Sequence, residues 1–248
     1  MRIAIVGASG RVGTKLVELV LANPGLELAA ALVSPGSRLV GRPVNGGGSI
    51  EYRPPEAAMK SHCDVMIDFS TPAASMRLQE QTGEKPIPVV IGTTGFTEED
   101  DARLTAFAAH RPLLIDANFA RGFQAFRLAA TEFAGRMPDA EATVAETYHA
   151  RKKADPSGTS RLLARQLFEA RSKAMGFAAS APHITVHREG DAVGVNEVRF
   201  DMGSAEAIFT YRVHTLAAYA EGALAAAQWL VSRARPAGRY GLADTFAD

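Results

Sequence analysis

The segment that most narrows what this chain can fold into lies at its start. Arg2-Ile-Ala-Ile-Val6 is a short apolar strand that runs directly into Gly7-Ala-Ser-Gly-Arg-Val-Gly13 and then into a helical repeat at Leu16, Val17 and Val20. Strand, glycine turn and helix, in that order, form the physical context of a dinucleotide site. Glycines permit the tight turn and a close backbone approach to a diphosphate, which then meets the free N–H groups of a helix start. The spacing is G-x-x-G-x-x-G, and a strand–helix turn without a ligand gives the same pattern.

The segments that follow predict a doubly wound sheet. Leu26–Val33, Val65–Phe69, Pro88–Ile91 and Leu113–Ile115 are short apolar runs separated by helical or loop segments. Their C-terminal ends carry Ser70, Thr71, Gly92, Thr93, Thr94, Ala117 and Asn118, which places these residues along the crevice where such sheets bind ligands. Pro72 and Thr97-Glu-Glu-Asp100 open ordinary helices, and no chemistry is assigned to those acids. A carboxylate at the end of the second strand commonly receives the ribose hydroxyls of NAD, yet no acidic residue lies between Glu27 and Glu51. Ser34, Ser37, Arg38 and Arg42 occupy that stretch and suit a 2′-phosphate, which favours NADPH over NADH; Arg38 as a plain surface residue is the other reading.

A second signal is the run Ala145-Glu-Thr-Tyr-His-Ala-Arg-Lys-Lys-Ala-Asp155, closed by Pro156-Ser-Gly-Thr159 and followed by the apolar repeat Leu162, Leu163, Leu167. Pro suits a first helical turn and Ser or Thr caps one, so a helix begins here, with Gly158 allowing close approach to its N–H groups. With His149 and Lys152 supplying positive charge, the segment reads as a pocket for a small anion such as a carboxylate. Arg151, Lys152 and Lys153 as a solvated loop is the alternative.

Net charge is balanced, with 27 Lys plus Arg against 27 Asp plus Glu, so no global field draws the chain to nucleic acid or to a membrane surface. The single Cys63 excludes an intramolecular disulfide and a cysteine-rich metal site, and no metal is expected. No run of about 18 apolar residues and no cleavable leader is present, so a cytoplasmic protein is expected. From about residue 119 the pattern changes: a helix-like stretch through Met137 leads to Ala142–Ala145, and His183–His187, Val195–Val198 and Ala207–Arg212 read as antiparallel strands of an α+β unit. Leu216–Ala234 is an alanine-rich helix that packs against the first domain, and Arg235-Pro-Ala-Gly238 opens a short tail.

Over nearly its whole length the chain resembles the dihydrodipicolinate reductases of lysine biosynthesis. The resemblance rests on Gly7–Gly13, Asp68-Phe-Ser-Thr-Pro72, Ile91-Gly-Thr-Thr-Gly95, Ala117-Asn-Phe119, Lys152 with Pro156–Thr159, Arg188-Glu-Gly190, and Gly222-Ala with Trp229-Leu. It implies an α/β, Rossmann-like doubly wound parallel sheet with an inserted α+β substrate domain. The dinucleotide-binding domain would span 1–118, completed by 216–248, and the substrate-binding and oligomerisation domain 119–215, usually in a homotetramer. Residue by residue, it implies that Gly7, Ala8, Ser9, Gly10, Arg11 and Val12 hold the pyrophosphate, beside Ser34 and Arg38, which the lack of an acid after the second strand already places toward the ribose of NADPH. Phe69, Gly92, Thr93, Thr94, Asp116, Ala117, Asn118 and Phe119 would take the nicotinamide side. His149, Lys152, Ser157, Gly158 and Thr159 would bind the anionic substrate, with Tyr148, His149 and Lys152 as the catalytic group. In the family, hydride passes to a conjugated imine of a cyclic dicarboxylate while a His–His–Lys group supplies the proton and electrostatic stabilisation.

The substrate half departs from the family pattern. Glu-x-His-His becomes Glu146-Thr-Tyr-His149, Asp and Ala are exchanged at Ala154-Asp155, Gly-x-His becomes Gly194-Val-Asn196, and the usual Ser-Arg falls near Thr215-Leu216. In an extended strand Tyr148 and His149 point to opposite faces, so His149 does not stand in for its neighbour. Tyr148 either donates the proton, with Lys152 or Lys153 stabilising its anion, or only packs. Three activities follow: reduction of dihydrodipicolinate, reduction of a different cyclic imine acid, or dinucleotide binding without catalysis.

Overall fold

The computed structural model describes residues 1–56, 62–82 and 87–246, which divide into two compact units: Met1–Ala120 with Leu216–Asp248, and Arg121–Thr215. The last two residues of the 216–248 segment lie outside the described residues.

In the first unit, strand β1 (Arg2–Val6) is buried at every position after Arg2, so both faces of the sheet must be covered. The chain meets this demand by winding helices to either side. Elements follow as α1 (Arg11–Ala22), β2 (Glu27–Leu32), β3 (Tyr52–Arg53), β4 (Val65–Asp68), α2 (Pro72–Gln81), β5 (Val89–Ile91), α3 (Glu98–Ala108) and β6 (Pro112–Ile115). All strand pairs are parallel and the order is β3-β2-β1-β4-β5-β6, extended by a seventh strand described below. Ile3 and Ile5 pack on one side with Leu16, Val17 and Val20 of α1; Ala4 and Val6 pack on the other with Leu78 of α2 and Leu104 of α3. Strand order reverses between β1 and β4, the switch point at which sheets of this kind hold ligands beyond their C-terminal ends.

The second unit comprises α4 (Phe123–Arg136), β7 (Glu141–Tyr148), α5 (Gly158–Met175), β8 (His183–Arg188), β9 (Gly194–Asp201) and β10 (Glu206–Val213). Its sheet has the order β10-β9-β7-β8. The antiparallel expectation holds for β9 and β10 but not for β8, which pairs parallel to β7 in register Val144↔Ile184 and Tyr148↔Arg188. The 18-residue helix α5 is the reason: a crossover helix between two strands returns the chain to the starting edge, which makes the pair parallel. Strand β7 alternates strictly, with Ala142, Val144, Glu146 and Tyr148 buried beneath the helices. Phe123, Leu163, Leu167, Val198 and Phe200 complete that core.

The chain then returns to the first unit through α6 (Ala217–Ser232), whose Ala220, Ala223, Ala226, Ala227 and Leu230 join the α1 side of the sheet. The expected tail is structured. Gly238–Tyr240 forms β11, parallel to β6 at the sheet edge, and a 3-10 turn follows at Leu242–Phe246.

Candidate active site

The glycine turn closes on the sheet itself. Gly7 adopts φ 77°, Gly7 and Ala8 donate to the Leu32 carbonyl at 2.9 Å each, and a Cβ at Gly7 would meet the Phe69 carbonyl oxygen at 2.4 Å. A Cβ at Gly13 would lie 2.0 Å from the Gly7 carbonyl oxygen, so the third glycine permits the helix to approach the strand. Gly10 is the N-cap of α1; it offers no side-chain acceptor, and the first turn contains no acid. Such an end leaves N–H groups that an external anion can satisfy.

Around the turn, Asp68 ties the ends of β4 and β5 together. Its Oδ1 accepts from the Ser70 amide (2.9 Å), the Ser70 hydroxyl (2.6 Å) and the Thr93 hydroxyl (3.2 Å), and the Thr93 Oγ1 also accepts from the Ser70 amide. Burial raises the Asp68 carboxyl above its usual value, against these hydrogen bonds. Phe69 lies on Gly92, where a Cβ would be 2.3 Å from the ring, and meets Phe119 edge-on at 5.7 Å. Asp116 accepts from the Asn118 amide, and Asn118 Oδ1 accepts from the Ala120 amide. Asn118 is 2% exposed and its Nδ2 has no acceptor among the described residues. A buried amide donor left in this way fits a carboxamide or hydroxyl acceptor of a bound nucleotide. Thr94, Ser34 and Arg38 are exposed, Ser34 and Arg38 in the loop that leaves β2.

In the second unit the segment from Ala145 to Thr159 is built around a buried acid, Glu146. Glu146 is 1% exposed. One carboxylate oxygen accepts from the Ser157 amide at 2.9 Å and from the Ser160 hydroxyl, and the other from Arg188 Nη2 at 2.8 Å. Burial alone would raise this carboxyl, but the hydrogen bonds from Ser157, Ser160 and Arg188 outweigh it and hold the group below the usual glutamate range. Arg188 also donates to the Lys153 and Asp155 carbonyls at 2.7 and 2.9 Å, which clasps the loop that precedes α5. Ser157 is the N-cap of α5 and accepts from the Ser160 amide at 3.2 Å; Pro156 lies just before the cap rather than in the first turn. Gly158 and Thr159 therefore open the helix at a fixed place.

Of the three consecutive cations, Arg151 and Lys153 are exposed and Lys152 is half-buried. Its Nζ lies 3.4 Å from the centroid of the Tyr148 ring. Tyr148 is 6% exposed and its hydroxyl faces Ser157, Thr159 and Asn196. Burial raises the phenol above its ordinary value, and the Glu146 carboxylate adds in the same direction against these polar neighbours. The Lys152 ammonium is thus seated over the face of the Tyr148 ring. His149 follows β7 in the turn closed by the bond from the Lys152 amide to the His149 carbonyl (3.0 Å).

The family model described as "Dihydrodipicolinate reductase, N-terminus" matches residues 1–119, and that described as "Dihydrodipicolinate reductase, C-terminus" matches residues 122–246. This chain belongs to the dihydrodipicolinate reductase family. A relative from Archaeoglobus fulgidus named 4-hydroxy-tetrahydrodipicolinate reductase is 34% identical over 98% of this chain and 99% of its own. One of the same name from Methanocorpusculum labreanum is 33% identical over 95% of each chain. The fold is also that of a solved structure, dipicolinate-bound dihydrodipicolinate reductase from Paenisporosarcina sp. TG-14, with a TM-score of 0.74, 22% identity and 98% coverage of both chains. Membership in the dihydrodipicolinate reductase family makes this chain an oxidoreductase that works with a nicotinamide cofactor. No helix among the described residues is long and apolar enough to cross a membrane.

Within each unit the residues singled out in the sequence come together: Gly7 to Val12 with Phe69, Gly92, Thr93 and Asp116 to Phe119 in one, and Tyr148, Lys152 and Ser157 to Thr159 in the other. Asp68, Glu146, Arg188 and Asn196 were missed as organisers of these sites. The available signal was an acid at an inward position of an alternating strand, Glu146, which needs partners to be buried at all.

Proposed function

We propose that this chain reduces 4-hydroxy-tetrahydrodipicolinate to tetrahydrodipicolinate in lysine and diaminopimelate biosynthesis, using NADPH in preference to NADH. The observation that carries the reading is the Glu146–Arg188 ion pair, which fixes an anion-accepting helix start in a chain that also holds a dinucleotide turn. When bound, the reduced nicotinamide supplies a hydride. Gly7, Ala8, Ser9, Gly10, Arg11 and Val12 receive its diphosphate. Phe69, Gly92, Thr93, Thr94, Asp116, Ala117, Asn118 and Phe119 orient the nicotinamide end, with Asn118 Nδ2 as an unspent donor. Ser157, Gly158 and Thr159 accept a substrate carboxylate, and His149 and Lys152 offset its charge.

Preference for NADPH is supported by the exposed Ser34 and Arg38 after β2 and by the lack of any acid between Glu27 and Glu51. Assembly as a homotetramer fits the outward face of the second-unit sheet, where Ile208 is 46% exposed. A cytoplasmic location fits such an enzyme. A second reading, reduction of another cyclic imine acid, is favoured by one observation: Tyr148 and Asn196, both departures from the family pattern, are buried facing each other. Steady-state reduction of a series of cyclic imine acids with NADPH and NADH tests the assignment. Turnover of another imine with none of 4-hydroxy-tetrahydrodipicolinate overturns the first reading, and tight NADPH binding with no turnover of any imine leaves only a dinucleotide-binding role.

A further inference from the structure

The loop Ala117–Ala120, proposed above to orient the nicotinamide, meets the segment Gly238–Phe246 at one carboxylate. Asp116 is half-buried just after β6. Its Oδ1 accepts from the Asn118 amide at 3.2 Å and its Oδ2 from the Leu242 amide at 3.3 Å, 126 positions away. On the loop side, Asn118 Oδ1 accepts from the Ala120 amide at 2.9 Å, and the Phe119 carbonyl lies against Gly222 of α6, where no side chain has room. The other side is anchored as firmly. Strand β11 pairs with β6, Arg239 bonds to both carboxylate oxygens of Asp101 and to the Thr105 hydroxyl on α3, and the Tyr240 ring meets Trp229 of α6 edge-on at 5.6 Å. Leu242 is buried in the same core as Phe119, and its turn is closed by bonds of 2.7 Å from the Gly241 amide to Asp244 and from the Thr245 hydroxyl to the Leu242 carbonyl.

From this joint we infer that Asp116 is a positioning residue that acts through the loop and not on the cofactor, and that the segment Gly238–Phe246 works as a part of the cofactor site through it. The inference rests on the cofactor assignment proposed above. A reduced dinucleotide carries phosphate charge and no positive group, so a carboxylate at residue 116 gains nothing by facing it and more by holding two backbone N–H groups. Such charge-assisted bonds are roughly twice as strong as neutral ones. One acid that receives an N–H from each of two separately anchored segments fixes the first against the second. The residue set in place this way is Asn118, whose buried Nδ2 has no acceptor among the described residues. Coupling of this kind is reciprocal: a cofactor that orders the loop must also tighten the bond to Leu242.

Two substitutions at residue 242 separate the N–H from the side chain. Leu242→Ala and Leu242→Pro both shorten the buried side chain, but only proline removes the donor, and residue 242 opens the 3-10 turn, a place proline tolerates. NADPH affinity is measured by fluorescence titration together with the KM for the imine, and amide hydrogen exchange is followed at Gly241 and Leu242. Asp116→Ala relative to wild type, and Leu242→Pro relative to Leu242→Ala, should each weaken NADPH binding about tenfold, with the KM for the imine moved by less than about twofold. The double variant Asp116→Ala/Leu242→Pro should be no weaker than either single one by more than about twofold, because both remove the same bond. Asp116→Asn, which keeps one acceptor oxygen, should fall between wild type and Asp116→Ala. In the wild type, saturating NADPH should slow exchange at Leu242 at least about threefold more than at Gly241, whose bond lies within the turn. A loss in Asp116→Ala, with Leu242→Pro binding as well as Leu242→Ala, puts Asp116 on the cofactor itself and overturns the inference while leaving the reductase reading intact. Additive losses in the double variant overturn the coupling. Should Leu242→Pro not fold, the wild-type exchange decides alone, and equal slowing at Gly241 and Leu242 overturns the inference. A wild type without affinity for NADPH overturns the cofactor reading and the inference together.

Discussion

At the scale of single residues, the most consequential group is Glu146, because three bonds to one carboxylate fix the start of α5, the helix end proposed to take the substrate carboxylate. Removing one partner of a buried pair leaves the other charge uncompensated, which typically costs about 3–5 kcal/mol. Glu146→Gln is therefore expected to lower the unfolding free energy by about 3 kcal/mol in urea and to raise the KM for the anionic substrate more than it lowers kcat. The sign of the pH dependence follows from the lowered carboxyl. The native state holds this group deprotonated below its ordinary value of 4.5, so the pair contributes in full above that value and is lost as pH falls through the lower folded value. Urea midpoints of wild type and Glu146→Gln should thus differ at pH 7 and converge as pH is taken down toward about 3. A gap that stays constant over that range would assign the stability to packing. At residue 38, Arg38→Ala is expected to raise the KM for NADPH by about tenfold, equivalent to about 1.4 kcal/mol, and to leave that for NADH nearly unchanged. Equal changes for both cofactors would remove the 2′-phosphate role.

At the scale of elements, the decisive fit is that of α6 against the strand-end loop before residue 120. A Cβ on Gly222 would lie 1.6 Å from the Phe119 carbonyl oxygen, which is backbone and cannot turn aside. Gly222→Ala is expected to cost at least the 1–3 kcal/mol typical of overpacking, seen as a lower Tm, and to weaken NADPH binding because Phe119 carries the Phe69 ring. An unchanged Tm would show that α6 can shift at no cost. Elements of this kind differ in how readable they are from sequence. The parallel strands β1, β2, β4, β5 and β6 show as apolar runs because both faces are buried, and α1 and α3 announce themselves by a glycine turn and a capping box at Thr97 and Asp100. The direction of β8 does not show, since alternation fixes which face a side chain takes and not which way the strand runs. Strands β3 and β11, of two and three residues, are too short to leave a pattern. The inward turn of Tyr148 follows from alternation, whereas the role of Glu146 depends on partners 11, 14 and 42 positions away, separations that no local pattern encodes.

At the scale of the whole molecule, the chain divides into two units, each with its own core and each built by different rules. The first is a wound parallel sheet whose glycine turn lies where the strand order reverses. The second is a mixed sheet in which one crossover helix delivers its N-terminus to the end of the strand that holds Glu146 and Tyr148. Divergence from the family pattern is concentrated in the second unit, at Tyr148, Ala154, Asp155 and Asn196, while the glycine turn of the first is retained. On the proposed reading the helix start held by the Glu146–Arg188 pair is an anion cradle built from the protein's own groups, so little ordering entropy stands between it and whatever oxyanion is at hand. Buffer chemistry is therefore part of this protein's enzymology. Sulfate, phosphate and malonate should each act as competitive inhibitors against the imine at millimolar levels and leave the KM for NADPH unaltered, and rates recorded in such salts should understate what the protein does in a chloride-free, non-coordinating medium.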